Sequence, residues 1–211
     1  MKLINNKLIT FEGIDGSGKS TQIKLLNQWL ESKGIKGLNI REPGGTVVSE
    51  SIRTILLDKQ NIIDSFSETL LFLAARSQLV DEVIVPALND NRFVICDRFI
   101  DSTVVYQGYG RGLGVDLINQ INKIATKNIL PSLTIYIDID VELSISRREK
   151  DVNDRMEDAG LKFLTNVKKG YDELAVLYPD RVHVINGDDS IVEIQNKIRT
   201  IVKDKYKEFL C

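Results

Sequence analysis

Short apolar blocks alternate with stretches of helical periodicity along the chain. Leu8-Ile9-Thr10-Phe11 is a β-rich run that stops at Gly13. From Lys19 to Lys33, Ile23, Leu26 and Leu30 recur at helical spacing beside Leu25 and Trp29, and Gly34 supplies a stop. Leu38 to Ile40 reads as a second strand. The spacing predicts helices over Val47–Leu57 and Ser65–Asn89, then a strand over Phe93–Cys96 and a helix over Val115–Lys127. A strand over Leu133–Ile139 follows, then helices over Val141–Lys150 and Leu161–Leu177. A last strand over Val182–Ile185 and a last helix over Ser190–Leu210 complete the series. Five short apolar strands separated by helices imply an α/β fold, a five-stranded parallel sheet with helices on both faces. Ligands of such sheets bind beyond the carboxyl ends of the strands. Two polar stretches interrupt the pattern. Gln107–Gly114 carries four glycines and reads as a polar loop, and residues 147–158 are dense in charge.

One helix is too apolar for a single buried face. Between Thr69 and Leu88 apolar residues occur nearly all round it, from Leu70-Leu71-Phe72-Leu73 through Leu79-Val80 to Val83-Ile84-Val85. Such a helix needs cover on more than one side, from the protein's own loops or from a second copy in a homodimer.

Composition narrows the reading rather than setting it. The 211 residues suit one domain, 1–211, without internal repeat or linker. A net charge of −2 gives no broad basic surface, so no nucleic acid is expected as a partner. The two cysteines, Cys96 in an apolar run and Cys211 at the end, make neither a disulfide framework nor a metal cluster. With no signal-length apolar region and no long uncharged apolar span, no membrane partner is expected and the expected location is cytoplasmic.

The first strand runs into Gly13-Ile14-Asp15-Gly16-Ser17-Gly18-Lys19-Ser20, which fits G-x-x-x-x-G-K-[ST] at every fixed position and opens the first helix; Thr21 follows directly. Small residues let backbone N–H groups turn inward around phosphate oxygens, and the helix N-terminus adds positive potential. Lys19 can reach the β- and γ-phosphates of ATP, and Ser20 can ligate Mg²⁺. No N-K-x-D base-reading motif is present, as a GTPase switch would need. The third strand ends in Asp97-Arg98-Phe99 rather than the Asp-Glu of a motor ATPase. Asp97 can hold Mg²⁺ through water, and Arg98 can clamp a second phosphate, which suits an acceptor that is itself a phosphate.

Five segments occur in an order and spacing that resemble the thymidylate kinase family over nearly the whole chain: 11–22 (FEGIDGSGKSTQ), 41–46 (REPGGT), 71–76 (LFLAAR), 97–99 (DRF) and 106–108 (YQG). The resemblance implies a P-loop kinase three-layer fold and transfer of the γ-phosphoryl group of ATP to dTMP. It implies that Phe72 stacks on thymine and that Arg76, one turn on, donates to the 4-carbonyl and rejects cytosine. Arg98 would clamp the dTMP phosphate with Arg53 as helper, beside Glu42 and Pro43. Gln107 would lie beside the thymine ring and Tyr106 would crowd the sugar 2′ position. Asp15 would orient the acceptor, and Glu42 would hold a Mg²⁺-bound water near its phosphate. The segment 147–158 resembles the lid. Because Gly16 and Ser17 leave the phosphate loop without a basic residue there, a lid arginine would supply that charge, with Arg148 and Arg155 the candidates. The segment Asn186-Gly187-Asp188-Asp189 resembles the adenine-side wall. His183, alternating with Val182 and Val184, reads as structural. The rivals are a kinase for another acceptor, such as dUMP or a deoxynucleoside, and a P-loop regulator that binds ATP without phosphorylating a small molecule.

Overall fold

The structure is a computed structural model, and it describes residues 6–148, 155 and 160–210. Five strands, β1 (Leu8–Glu12), β2 (Gly37–Arg41), β3 (Phe93–Asp97), β4 (Leu133–Asp138) and β5 (Val182–Asn186), form one all-parallel sheet in the order β2-β3-β1-β4-β5. The central position of β1 makes it the switch point. The chain leaves it toward β2 and β3 on one side and later returns to β4 on the other, opening a crevice at the carboxyl ends.

Alternation along β1 assigns the two faces. Ile9 and Phe11 pack with Leu26 and Leu30 of α1 (Lys19–Ser32) and with Ile194, Ile198 and Val202 of α9 (Ile191–Lys205). Leu8 faces the other layer, among Leu79, Val80 and Ile84. That layer holds α2 (Val47–Leu57), α3 (Ser65–Leu79), α6 (Val115–Ala125) and α8 (Leu161–Leu177). Helix α7 (Val141–Arg148) follows β4, and α10 (Lys207–Leu210) closes the chain against the α1 side. Side-chain caps start several helices. Thr46 accepts from the Ser49 N–H, Asp64 from those of Phe66 and Ser67, and Ser190 forms a capping box with Glu193. No helix among the described residues is long and apolar enough to cross a membrane.

The strands run one residue past several of the apolar runs, to Glu12, Arg41, Asp97 and Asn186. Of these polar ends, held in the ladder, Arg41 and Asp97 border the crevice and Glu12 is fully buried. The expected helix over 65–89 is continuous but contains a wider π-helical stretch, Val80–Ile84, before α4 (Val85–Asn89). The part of the helix expected over Val141–Lys150 that lies beyond Arg148 is outside the described residues.

One expectation is corrected. Gln107–Gly110, expected as part of a polar loop, is not a loop. It is the end of a helical segment formed by α5 (Ile100–Thr103) and π-helical turns over Val104–Gly110, with Tyr106, Gln107 and Gly108 buried. Gly110 is there for packing: a Cβ would lie 2.5 Å from the Phe163 ring.

Candidate active site

The phosphate loop joins β1 to α1. Gly13 has φ 139°, and a Cβ there would come within 2.5 Å of the Ile137 carbonyl oxygen of β4, so only glycine fits. Gly18, at φ 93°, opens α1. Lys19 is buried, and its Nζ donates to the carbonyls of Gly13 (3.0 Å) and Ile14 (3.1 Å), 3.9 Å from the Asp15 carboxylate. Burial and the neighbouring Arg98 charge lower its pKa. Gly16 accepts from Arg147, Ser17 keeps a buried hydroxyl without a partner, and Thr21 is exposed. A cavity runs from this loop past Asp97, Arg53 and Arg147.

Ser20 lies with its hydroxyl 3.4 Å from the Asp97 carboxylate, at the mouth of that cavity. An alcohol and a carboxylate are hard oxygen donors of the kind Mg²⁺ takes, with phosphate oxygens and water completing the shell. Glu42 adds a buried carboxylate oxygen, Oε1, that has no hydrogen-bond partner and borders the same space. The residues fit the ion. Among the described residues there is no cluster of three or more His, Cys, Asp or Glu that could hold a metal by protein ligands alone.

A second cavity opens beside the first, lined by Asp15, Glu42, Pro43, Arg53, Leu57, Phe72, Arg76, Arg98, Ser102, Thr103, Tyr106 and Gln107. Arg98 stands between the two. Its backbone has φ 68°, a left-handed conformation unusual for arginine, which turns the side chain back over the end of β3. Its NH2 donates to Asp15 at 2.5 Å, and NH1 faces the hydroxyls of Ser102 (3.2 Å) and Tyr171 (3.4 Å). Beneath it lies Glu12, fully buried, which accepts from the Phe99 N–H (2.8 Å), Ser102 (2.6 Å) and Tyr171 (2.9 Å). Burial, with Asp101 nearby, pushes the Glu12 carboxyl up to about 7.

Arg76 closes another wall and is almost completely buried. It donates from Nε to Glu42 (2.7 Å), from NH1 to Thr103 and Asn122 (2.6 Å each), and from NH2 to the Phe99 carbonyl (2.9 Å). The NH2 group also lies 2.6 Å from Glu42. Burial raises the Glu42 pKa and the Arg76 charge opposes that rise. Arg53 donates to the Pro43 carbonyl (2.9 Å), after a cis Glu42–Pro43 peptide. Phe72 is half-buried at the cavity wall. Tyr106 stacks over Arg98 and has a buried hydroxyl without a partner.

The structure thus brings together the residues singled out in the phosphate loop, in 41–46, at Phe72 and Arg76, at Asp97-Arg98 and at Tyr106-Gln107. Two details differ from expectation. The Arg76 guanidinium is committed to four protein acceptors, and Glu42 is its buried counter-ion. The charged segment is described only in part. Arg147 touches Gly16 (3.2 Å) and Gly187 (3.5 Å), while the side chain of Arg148 is outside the described residues. Arg155 lies on Glu68 (2.7 Å) and the Leu56 carbonyl (2.8 Å), at the floor between α2 and α3. Motif reading assigned no role to Glu12, Glu68, Ser102, Thr103, Asn122 or Tyr171. Glu12 carried a signal, a carboxylate at the end of an apolar strand; Glu68, between Ser67 and Thr69, and the others look like ordinary helix residues.

The chain matches the family model described as Thymidylate kinase over residues 11–198. It is 46% identical over 200 residues to a thymidylate kinase of Thermoanaerobacter sp. (strain X514), covering 95% of this chain and 98% of that one. It is 49% identical over 195 residues to a thymidylate kinase of Thermosipho africanus (strain TCF52B), covering 92% and 96%. Among solved structures it resembles thymidylate kinase from Ehrlichia chaffeensis, with a TM-score of 0.76 and 38% identity over 93% of this chain and 97% of that one.

Proposed function

The chain belongs to the thymidylate kinase family, and from that premise we propose how its residues divide the work. It is a nucleoside-monophosphate kinase that phosphorylates dTMP to dTDP with ATP as donor, a step of nucleotide biosynthesis. The observation that carries the division of labour is Arg98, an arginine in a left-handed backbone conformation at the junction of the phosphate-loop cavity and the second cavity.

In this reading the phosphate loop, residues 13–21, takes the triphosphate of ATP on its backbone N–H groups and on Lys19. Arg98, helped by Arg53, takes the dTMP phosphate; on binding, the guanidinium exchanges part of its Asp15 contact for phosphate oxygens. Asp15, tied to Arg98 and close to Lys19, sets the distance between donor and acceptor groups. The acceptor oxygen is already anionic, so no general base is needed and the residues act by positioning and by charge stabilisation. Ser20 and Asp97 would hold Mg²⁺, with Glu42 reaching it through water; the ion supplies positive charge at the β- and γ-phosphates. Phe72 stacks on the base, Tyr106 lies beside the sugar, and Arg76 gives the slot a fixed positive end that shares a donor with the 4-carbonyl. Arg147, already beside Gly16 and Gly187, joins Arg148 as a source of lid charge, whereas Arg155 is held on Glu68, and the whole chain acts as one P-loop kinase domain with its lid at 147–158. Both substrates are phosphorylated metabolites that do not cross membranes unaided, which supports a cytoplasmic setting.

The reading includes a homodimer. Helices α2, α3 and α6 lie side by side and leave Val48, Ile55, Phe66, Leu70, Leu117 and Ile124 exposed, so loops do not cover this apolar layer. Light scattering is expected to give twice the monomer mass, and Leu70→Glu to return a monomer. A single-monomer mass for the unchanged protein would remove the dimer.

The kinase reading is tested by ADP release with ATP–Mg²⁺ and, one at a time, dTMP, dUMP, dCMP, dGMP, dAMP or thymidine. Turnover with dTMP well above the others is expected. Turnover with thymidine but not dTMP would mean that the arginines do not serve a phosphate acceptor.

A further inference from the structure

Gln107 is almost fully buried, 2% exposed, at the wall of the acceptor cavity. Its side-chain amide can present either a donor or an acceptor to a base, and the two choices select different pyrimidines. Thymine and uracil carry a hydrogen on N3, a donor, whereas cytosine carries a lone pair there, an acceptor. What turns the amide one way is therefore a specificity device.

Behind Gln107 stands Glu68 in the first turn of α3, with a side chain 0% exposed. Its Oε1 accepts from Gln107 Nε2 (2.9 Å) and Arg111 Nε (3.1 Å). Its Oε2 accepts from Arg111 NH2 (3.0 Å) and lies 2.7 Å from Arg155 NH1. Burial alone would push this carboxyl up. Hydrogen bonds from Arg111 and Gln107, the Arg111 charge and the bond from Arg155 outweigh it, and the pKa falls below the ordinary carboxylate value. Glu68 is therefore an anion at neutral pH and can only accept. A carboxylate so held must be met by the NH₂ end of Gln107, because the carbonyl end would set two acceptors face to face. Among the described residues nothing donates to Gln107 Oε1, and Gln107 lines the cavity.

We propose that Glu68 is a positioning residue for base choice. Clamped by Arg111 and Arg155, it locks the Gln107 amide so that its oxygen faces the base and takes a hydrogen bond from N3–H. The proposal rests on dTMP being the acceptor and adds a determinant separate from Phe72 and Arg76. A site built to receive a donor penalises an analogue that brings an acceptor instead, because both lone pairs are then left unpaired. Arg155 belongs to the charged segment 147–158, so the same carboxylate links that segment to the base-reading amide.

The test is kcat/KM for dTMP and dCMP in wild type, Glu68→Gln, Gln107→Met and the exchange Glu68→Gln/Gln107→Glu, with melting temperatures beside each. In Glu68→Gln the facing amide offers both a donor and an acceptor, so Gln107 can turn over. The dTMP:dCMP ratio is expected to fall at least tenfold, with dCMP turnover rising in absolute terms. In Gln107→Met the ratio falls because dTMP alone loses a partner. In the exchange variant a carboxylate at 107 accepts from the new amide and from N3–H, and the preference for dTMP returns. A purely structural role would lower both substrates together and leave the ratio unchanged, which overturns the proposal. If Glu68→Gln does not fold, Gln107→Met decides: an unchanged ratio there also overturns it. Failure of the unchanged protein to use dTMP at all would instead sink the kinase reading, and this inference with it.

Discussion

Replacing Arg76 by methionine removes one charge of a buried pair while nearly keeping side-chain length. Arg76 makes four hydrogen bonds and neutralises Glu42, which is itself buried. Removing one partner of a buried ion pair costs about 3–5 kcal/mol, because the other charge is stranded. For a chain of this length each kcal/mol moves Tm by about 2–4 °C, so Arg76→Met should melt about 6–20 °C lower at neutral pH. The loss should depend on pH. Burial already raises the Glu42 pKa, and the Arg76 charge is what opposes the rise. Without it Glu42 rises further and folds as the neutral acid. A carboxyl with a raised folded-state pKa stabilises at low pH and loses that contribution as pH climbs through the folded value. The Tm gap between variant and wild type should therefore be smaller at pH 5 than at pH 8. Adding Glu42→Gln to Arg76→Met should recover part of the loss at pH 8 and little at pH 5. Thermal unfolding followed by circular dichroism reads all of this. A loss below about 1 kcal/mol, or one equal at both pH values and indifferent to Glu42→Gln, would refute the account of Arg76 as one half of a buried pair.

Three further outcomes are expected. Arg98→Lys keeps a charge but loses the planar fork that meets Asp15 and Ser102, and kcat/KM for dTMP should drop about a hundredfold, about 2.7 kcal/mol, with ATP binding by calorimetry little changed. Ser20→Ala should raise the Mg²⁺ concentration for half-maximal activity by about tenfold or more while Tm stays within about 1 °C, since the residue is exposed and its hydroxyl, among the described residues, bonds only to Asp97. Glu12 has a folded-state pKa near 7 against an ordinary 4.5, so it draws stability down as pH rises from 4.5 through 7. Glu12→Gln should flatten that decline in a Tm-versus-pH series, and an unchanged slope would show that Glu12 is not the titrating group.

Much of this architecture is legible in the sequence, for identifiable reasons. The apolar runs at Leu8, Phe93 and Leu133 lie in strands covered on both faces, where burial forces nearly continuous apolar residues. The glycines at 13 and 18 are dictated by backbone geometry that no other residue meets well. The polar strand ends were harder to read, because Glu12 and Asp97 break an apolar pattern, Asp97 at the edge of the crevice and Glu12 buried beneath Arg98. Gln107–Gly114 misled for a related reason. Glycine permits both a loose loop and a close approach, and only the distance from Gly110 to Phe163 says which applies. The partners of Arg76 come from positions 42, 99, 103 and 122, and no local pattern announces a contact made across four elements.

The carboxylates around the acceptor cavity pose a question of charge. The cavity proposed above for the acceptor phosphate is bordered by Asp15 and Glu42, with Glu12 and Glu68 buried behind it, and each would repel a phosphate dianion if it acted alone. Each is instead paired with, or set beneath, an arginine: Asp15 with Arg98, Glu12 beneath the same residue through Ser102 and Tyr171, Glu42 with Arg76, Glu68 with Arg111 and Arg155. An arginine left loose in an empty site would lose rotamer freedom when the ligand arrived and would repel its neighbours beforehand. Held by a carboxylate, it is ordered in advance. In the function proposed above, the phosphate would then meet a fork already aimed, and the acid that held it would give up one contact rather than a whole partner. The acidic residues are therefore the means by which the basic ones are kept in place, and substituting the acids should weaken acceptor binding despite the gain in net positive charge.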